Sequence, residues 1–216
     1  MSKKDSTLAA VPLAEHEPGV MSRASLAFAL PFLLIACSPT ADKAATPAPL
    51  AGAAIGGPFT LTDSTGKTVR WSDFDGKYRI VYFGYTYCPD VCPTDMQRLM
   101  QGFARFKADH AGLAAEVVPM FISVDPERDT PKVVGEFTHA FSDDLLGLTG
   151  TPAQVAQAAK AFSVYYEKGK PNAEGGYLVN HSSAAFLMGR KGEPIALVPI
   201  DEGPKAVTAS LEKWVS

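Results

Sequence analysis

The chain has 216 residues, of which 46% are hydrophobic and 20% charged, and its net charge is −3. This composition disfavours a nucleic-acid-binding protein, which would have a basic excess, and a disordered protein, which would have far fewer apolar residues. No apolar run reaches the roughly 20 residues that a membrane-spanning helix needs. The length fits one domain with an appendage. Three cysteines are too few for a disulfide framework, so their positions are more informative than their number.

The amino-terminal segment is typical of a secretory signal. Residues 24–36 form a short apolar run that follows Arg23. Residues 34–37, Leu-Ile-Ala-Cys, resemble the bacterial lipobox, in which cleavage falls just before a cysteine that receives lipid. We therefore expect residues 1–36 to be a signal segment, with Met21 a more ordinary start than Met1. Cys37 would then anchor a lipoprotein in a bacterial membrane, facing the periplasm. A plain signal peptide with an incidental cysteine is the alternative.

The next segment has the composition of a linker. Residues 37–57 are rich in Ala, Pro and Gly and contain no aromatic side chain. Such a segment buries too little apolar surface to order itself. We expect a flexible tether over residues 37–57 and a folded domain over residues 58–216.

The domain alternates strand and helix patterns. Apolar runs predict strands over residues 59–62, 68–71, 78–87, 117–124, 184–188 and 195–199. Helical spacing predicts helices over residues 93–109, 131–141 and 152–162 and from residue 204 onward. Two of these helices open with a Thr-Pro pair, which supplies an N-cap and a first-turn residue. The alternation implies parallel strands with a right-handed crossover. We expect an α/β, thioredoxin-like fold: a central mixed sheet flanked by helices, with an amino-terminal hairpin and an inserted hairpin and helix.

Two cysteines lie where the long buried strand meets the first helix. Cys88 follows the strand, and Cys92 immediately precedes Pro93. Because proline is favoured at the first helical position, we expect Cys92 at the N-cap, where the helix dipole and free N–H groups stabilise a thiolate. A thiolate is the nucleophile of disulfide exchange and a ligand of soft metals such as Cu(I). A purely structural disulfide is disfavoured, because these positions are poorly placed to join distant segments.

Three segments occur along the chain in the order YFGYTYCPDVCPTDM, FISVDPERDTP and YLVNHSSAAFLMG. Together they resemble the Sco/SenC family of copper-binding assembly factors for cytochrome c oxidase. The resemblance covers most of residues 58–216. It implies that Cys88, Cys92 and His181 bind copper, as Cu(I) or Cu(II), and that the protein serves the dinuclear copper centre of an oxidase subunit.

The position of His181 supports its assignment as a ligand. It lies shortly before the strand predicted over residues 184–188. In thioredoxin-like topology the loop before this strand faces the cysteine motif, so His181 can reach both sulfurs. Thioredoxins usually have a proline in this loop, and none occurs between Pro171 and Pro194, which disfavours ordinary thioredoxin chemistry.

Five other residues are weaker candidates. Asp90 could tune the charge of the cysteines or contact a partner, or could be a simple turn residue. We expect Asp125 and Asp129 to serve the turn and helix start before Pro131, rather than to form a layer around the metal or a docking surface. Met96 and Met100 share the buried helix face, so we expect them to pack in the core rather than bind copper.

The leading functional hypothesis is a copper chaperone that is not itself an enzyme. Its partners would be the copper-bearing oxidase subunit, a copper donor and a thiol reductant in the cell envelope, and the membrane through the lipid anchor, without nucleic acid. The main alternative is a thiol–disulfide reductase in which Cys88 and Cys92 act on the oxidase cysteines or on other envelope proteins and His181 is not required. A peroxiredoxin-type peroxidase and an adaptor protein are more distant alternatives.

Overall fold

The computed structural model describes residues 47–216, so the predicted signal segment and Cys37 lie outside the described residues. The strands are β1 (Thr60–Asp63), β2 (Thr68–Arg70), β3 (Tyr78–Gly84), β4 (Val117–Ser123), β5 (Leu146–Thr149), β6 (Tyr166–Lys168), β7 (Val179–His181), β8 (Ala185–Met188) and β9 (Pro194–Val198). The helices are α1 (Val91–Asp109), α2 (Ala111–Ala114), α3 (Pro131–His139), α4 (Pro152–Ala161) and α5 (Pro204–Trp214), and a 3-10 turn covers Trp71–Phe74.

Seven of the strands form one mixed sheet in the order β2-β1-β5-β4-β3-β8-β9. β3 pairs in parallel with β4, and β4 with β5, whereas β8 is antiparallel to β3 and β1 is antiparallel to β5. β3 is buried along its whole length, as its continuous apolar run predicts. The carboxyl ends of the three parallel strands lie at one edge of the sheet, which is where α/β proteins usually bind ligands. The predicted thioredoxin-like architecture is confirmed.

The sequence did not reveal three strands. β5 runs between α3 and α4, and β6 and β7 form a separate two-stranded ribbon. β5 contains Gly147, where a Cβ atom would stand 2.7 Å from Cγ1 of Val134. The glycine lets α3 pack closely on the strand, but in a sequence it disfavours a strand. β6 and β7 have three residues each, of which Val179 alone is buried, so they lack a strong apolar pattern.

The helix starts agree with prediction at two places and differ at a third. Thr130 accepts a hydrogen bond from the backbone N–H of Val133 at the start of α3, and Thr151 caps α4 in the same way. α1, however, begins at Val91 rather than Pro93, so the prediction that Cys92 is the N-cap was wrong. The first-turn N–H groups of a helix have no intrahelical partner, so proline is tolerated there beyond the first position.

The described chain makes contacts with the domain before residue 58. The backbone N–H of Leu50 donates to the carbonyl of Ile195 (2.9 Å), and that of Gly56 donates to the carbonyl of Ala161 (2.8 Å). Leu50 and Ile55 also pack against the core. Composition predicted a flexible tether over this segment and did not indicate that Leu50 and Ile55 pack against the domain.

Across residues 47–216, none of the helices combines the length and the apolar character required to cross a membrane.

Candidate metal centre

Three predicted site residues meet at the carboxyl edge of the sheet. Cys88 lies in the loop after β3, Cys92 in the first turn of α1, and His181 at the end of β7. Their ligand atoms all lie within 4.8 Å of one another. Sγ of Cys92 is 3.3 Å from Nε2 of His181, although the residues are 89 positions apart in the chain. The fold therefore assembles two sulfurs and one imidazole nitrogen from three separate segments.

The two cysteines differ in exposure. Cys92 is buried and Cys88 is half-buried. The backbone N–H of Cys92 donates to Sγ of Cys88 over 3.4 Å. Burial raises the pKa of the Cys92 thiol, and the nearby Cys88 sulfur raises this pKa further. The pKa of the Cys92 thiol thus lies above its ordinary value even though the residue is in the first turn of α1, because burial disfavours the charged form. A bound cation would favour the thiolate and release the proton.

The ring of His181 is oriented for binding through Nε2. Nδ1 lies 3.0 Å from the backbone carbonyl of Ser182, so the hydrogen-bonding tautomer has its proton on Nδ1. This tautomer leaves the lone pair of Nε2 directed toward Cys92. The rings of Tyr82 and Tyr85 pack against the imidazole with interplanar angles of 82° and 87°. Hydrogen bonding and packing together fix the ring, as is usual for metal-binding histidines.

This donor set fits a soft, low-coordinate metal ion. Thiolate sulfur and imidazole nitrogen are both suitable ligands for copper, and thiolates favour Cu(I). A structural zinc site usually has four protein ligands. Within residues 47–216, no further His, Cys, Asp or Glu side chain joins the cluster. The observed donors therefore suit copper better than structural zinc.

A buried polar pair lies next to Cys92. The hydroxyl of Tyr82 donates to Oδ2 of Asp95 (2.9 Å), and both side chains are buried. Burial raises the pKa of Asp95, and burial together with the Cys92 and Asp95 charges raises the pKa of Tyr82. Neither residue of this pair was among the predicted site residues. Asp95 lies three residues after Cys92 on α1 and so shares its helix face, which is the signal that could have identified it.

The two acidic residues before α3 do more than form a turn. Asp125 and Asp129 are both buried. Asp125 accepts hydrogen bonds from the hydroxyl of Tyr177 and from Nε of Arg128, whereas Asp129 accepts hydrogen bonds from the loop that precedes Cys88. Thr130 caps α3 as predicted, but assigning the carboxylates to turn chemistry alone was wrong. Asp90, in contrast, is exposed and precedes α1 without a side-chain capping bond.

Exposed apolar side chains lie close in the chain to the three predicted ligands. Tyr87 is 53% exposed, Val91 46% and Leu178 57%. Tyr87 precedes Cys88, Val91 precedes Cys92, and Leu178 lies three residues before His181. We call these three residues the apolar rim. Met96 and Met100, by contrast, are buried in the core, as predicted.

Comparison with known proteins agrees with the geometry. The SCO1/SenC family model matches residues 47–216. The mitochondrial SCO1 homologue of Homo sapiens is 40% identical over 139 residues, which cover 64% of this chain and 46% of the human protein. SenC of Rhodobacter capsulatus is 44% identical over 165 residues, covering 74% of this chain and 71% of that protein.

Solved structures show the same relationship. ScoI of Bradyrhizobium japonicum, solved with copper bound, superposes with a TM-score of 0.68 at 38% identity, covering 75% of this chain and all of that one (100%). Yeast Sco1 with copper bound gives a TM-score of 0.67 at 32% identity, covering 74% of this chain and 88% of that chain. The match spans less than half the length of the human and Arabidopsis relatives, at 46% and 41%. With a family match over residues 47–216 and Cys88, Cys92 and His181 assembled at one edge of the sheet, the chain belongs to the SCO1/SenC family.

Proposed function

We propose that this protein is a copper chaperone for the dinuclear copper centre of cytochrome c oxidase. It would bind one copper ion through Sγ of Cys88, Sγ of Cys92 and Nε2 of His181. The observation that supports this most strongly is the convergence of these three ligand atoms within 4.8 Å. Relatives solved with copper bound support the identity of the ion.

The arrangement suits reversible binding. Three protein ligands leave copper open to attack by a ligand from a partner, so the ion can pass from one protein to the other by ligand exchange. Cys88 is half-buried and can exchange first, whereas Cys92 is buried and supports the ion from the helix side. Release of copper would return a proton to the Cys92 thiol, whose pKa burial raises.

The surroundings suit a protein partner rather than a small substrate. The apolar rim residues Tyr87, Val91 and Leu178 are exposed and lie within three residues of a ligand in the chain. The buried core of a protein interface is more apolar than the rest of the surface, and tyrosine is enriched there. We propose that the copper-bearing oxidase subunit docks there, with a copper donor and a thiol reductant of the envelope as earlier partners.

The second candidate function is thiol–disulfide reduction of the oxidase cysteines or of other envelope proteins. The unequal exposure of the cysteines favours it, since an accessible Cys88 could attack a substrate disulfide and Cys92 could then resolve the mixed disulfide. The two functions make different demands on the third residue, because His181 is required only for copper binding.

One paired assay separates the two functions. Wild type and His181→Ala would be compared for transfer of Cu(I) to a soluble oxidase fragment and for reduction of a disulfide in the same fragment. A chaperone predicts that the substitution abolishes transfer. If the wild type reduces the disulfide but transfers no copper, the reductase is the better assignment.

We further propose that the protein is a lipoprotein on the periplasmic side of a bacterial membrane, with a signal segment over residues 1–36, an anchored linker from Cys37 and a copper-binding domain from about residue 58. Fractionation tests this: wild type should sediment with membranes and Cys37→Ser should not incorporate labelled fatty acid. Equal labelling of both proteins would contradict the anchor.

A further inference from the structure

Asp129 links the sheet to the loop that contains Cys88. Its side chain is fully buried, at 0% exposure. Oδ2 accepts hydrogen bonds from the backbone N–H of Thr86 (3.0 Å) and from the hydroxyl of Ser123 (2.5 Å). Oδ1 accepts a hydrogen bond from the hydroxyl of Thr86 (2.6 Å). One carboxyl group thus joins the end of β4 to the residue two positions before Cys88.

The backbone of Asp129 is itself held in place. Its N–H donates to the carbonyl of Asp125 (2.9 Å), and its carbonyl accepts a hydrogen bond from the hydroxyl of Thr149 at the end of β5 (2.8 Å). Asp129 is therefore joined to the ends of two central strands, to β4 through its carboxyl group and to β5 through its backbone carbonyl. Buried, satisfied networks of this kind hold their members in one arrangement.

The loop beyond Thr86 has weaker support. Tyr87 is 53% exposed, and the backbone N–H of Cys88 makes a longer hydrogen bond, of 3.3 Å, to the carbonyl of Tyr85. Thr86 is thus the last residue before Cys88 that is tied to the sheet by both its backbone and its side chain. The sulfur of Cys88 itself accepts a hydrogen bond of 3.4 Å from the backbone N–H of Cys92.

We infer that Asp129 is a positioning residue for Cys88: through Thr86 it holds the loop so that the sulfur of Cys88 faces the other two ligand atoms. The inference rests on the proposed function, because positioning matters only if Cys88 binds copper. Residues that orient metal ligands typically change metal affinity by about 10- to 100-fold when they are altered. Asp129 acts here through a loop, because its side chain hydrogen-bonds to Thr86 and Ser123 rather than to a predicted ligand.

The test uses the full chain with four substitutions. Thr86→Val removes the side-chain hydrogen bond and keeps the backbone N–H, and Asp129→Ala removes all three hydrogen bonds. Asp129→Asn retains one acceptor for the Thr86 N–H and the Ser123 hydroxyl, and its amide can donate to the Thr86 hydroxyl. Thr138→Val is the matched control. The hydroxyl of Thr138 is also buried, but it donates to the carbonyls of Val134 and Gly135 within α3 rather than to the Cys88 loop.

Two measurements are made on each variant: Cu(I) affinity by chelator competition, and amide hydrogen exchange of Thr86 and Cys88 in the metal-free, reduced protein. We expect Thr86→Val to lower copper affinity about 10-fold and Asp129→Ala about 10- to 100-fold. Asp129→Asn should retain most of the affinity, and Thr138→Val should stay within about 2-fold of wild type. Exchange at Thr86 and Cys88 should accelerate in Asp129→Ala and stay unchanged in Thr138→Val.

Several results would overturn the inference. Affinities of Thr86→Val and Asp129→Ala equal to that of Thr138→Val would do so. So would an equal loss in Asp129→Asn and Asp129→Ala, because charge rather than position would then be responsible. If Asp129→Ala fails to fold, Thr86→Val decides. If the wild type binds no copper, the proposed function fails. Independently of copper, unchanged hydrogen exchange at Thr86 and Cys88 in Asp129→Ala would show that Asp129 does not hold the Cys88 loop.

Discussion

Gly84 lies directly against the thiol of Cys92. A Cβ atom at position 84 would stand 2.9 Å from Sγ of Cys92 and equally close to ring carbons of Tyr82 and Phe121. Real Cβ atoms essentially never approach other heavy atoms so closely, and none of these neighbours is the loose end of an exposed side chain. The absence of a side chain at the end of β3 thus provides the space in which the buried sulfur sits.

The first prediction follows from this contact. Gly84→Ala should lower the free energy of unfolding by about 1–3 kcal/mol, because overpacking forces the core to shift. It should also weaken copper binding, because the shift displaces Cys92. Urea denaturation and a Cu(I) competition titration measure the two effects. Gly112→Ala is the control, since a Cβ atom there meets nothing within 4 Å. Equal stability of the two variants would refute the close contact.

The second prediction concerns the buried carboxyl of Asp95. Burial raises its pKa in the folded state above the usual value of 3.8. The folded protein therefore holds a proton that the unfolded chain has released, so this group's contribution to stability falls as pH rises from about 3.8 through the higher folded pKa. Asp95→Asn lacks this dependence and still accepts the hydrogen bond from Tyr82.

Urea midpoints measured across this pH range should show Asp95→Asn gaining stability relative to wild type as pH rises, with the gain constant at higher pH. Asp143→Asn removes an exposed carboxyl and serves as the control. If the urea midpoints of wild type and Asp95→Asn changed in parallel with pH, the raised pKa of Asp95 would be contradicted.

The third prediction concerns oxidation of the cysteine pair. When diamide oxidises Cys88 and Cys92 to a disulfide, the two thiols give up two electrons and two protons, and both sulfur ligands lose their thiolate form. Copper binding should then fall to the level of the Cys88→Ser/Cys92→Ser double variant. Reduction with a phosphine should restore it. Competition titrations before and after each step measure this, and an oxidised protein that still binds Cu(I) tightly would argue against sulfur ligation.

The fourth prediction concerns Arg128, which packs the chain leading to His181. Its guanidinium lies 3.6 Å from the ring centroid of Tyr177, and Nη1 donates to the carbonyl of Tyr177 (3.0 Å). Lysine has neither the planar group nor the forked donors, so Arg128→Lys should accelerate hydrogen exchange near residue 177 and lower copper affinity by about 3- to 10-fold. Arg105→Lys, on the exposed side of α1, should change neither quantity. Unchanged exchange in Arg128→Lys would show that the stacking does not order this segment.

The sequence predicted the long strands and the main helices, but it did not predict the short strands β5, β6 and β7. The long apolar run of β3 and the Thr-Pro helix starts are strong local patterns, and both were found close to their predicted positions. β5 was missed because Gly147 is favourable there only through close packing with α3, a tertiary effect that no local pattern contains. The ribbon of β6 and β7 was missed because its strands are short and bury a single residue, Val179.

The site was predictable in its residues but not in its electrostatics. Cys88, Cys92 and His181 follow from motif and topology, and they meet as expected. Burial of the Cys92 sulfur raises its pKa, and this burial depends on the close packing of Gly84 and the ring of Phe121 around the sulfur. Such packing is a tertiary effect that the cysteine motif does not reveal. Asp95 accepts a hydrogen bond from Tyr82 on β3, and Asp129 accepts one from Thr86, which is 43 residues away in the chain. Because these partners lie on other segments, side-chain type alone could not identify the two carboxylates.

The most direct test of the account is a Cu(I) competition titration of the reduced protein, its His181→Ala variant and a His139→Ala control. His139 is exposed on α3, so its loss tests for nonspecific effects of removing an imidazole. We predict one copper per chain in wild type and His139→Ala, with affinity lowered at least about 10-fold in His181→Ala. Absence of competitive binding in wild type, or equal affinity in wild type and His181→Ala, would contradict the three-ligand copper centre.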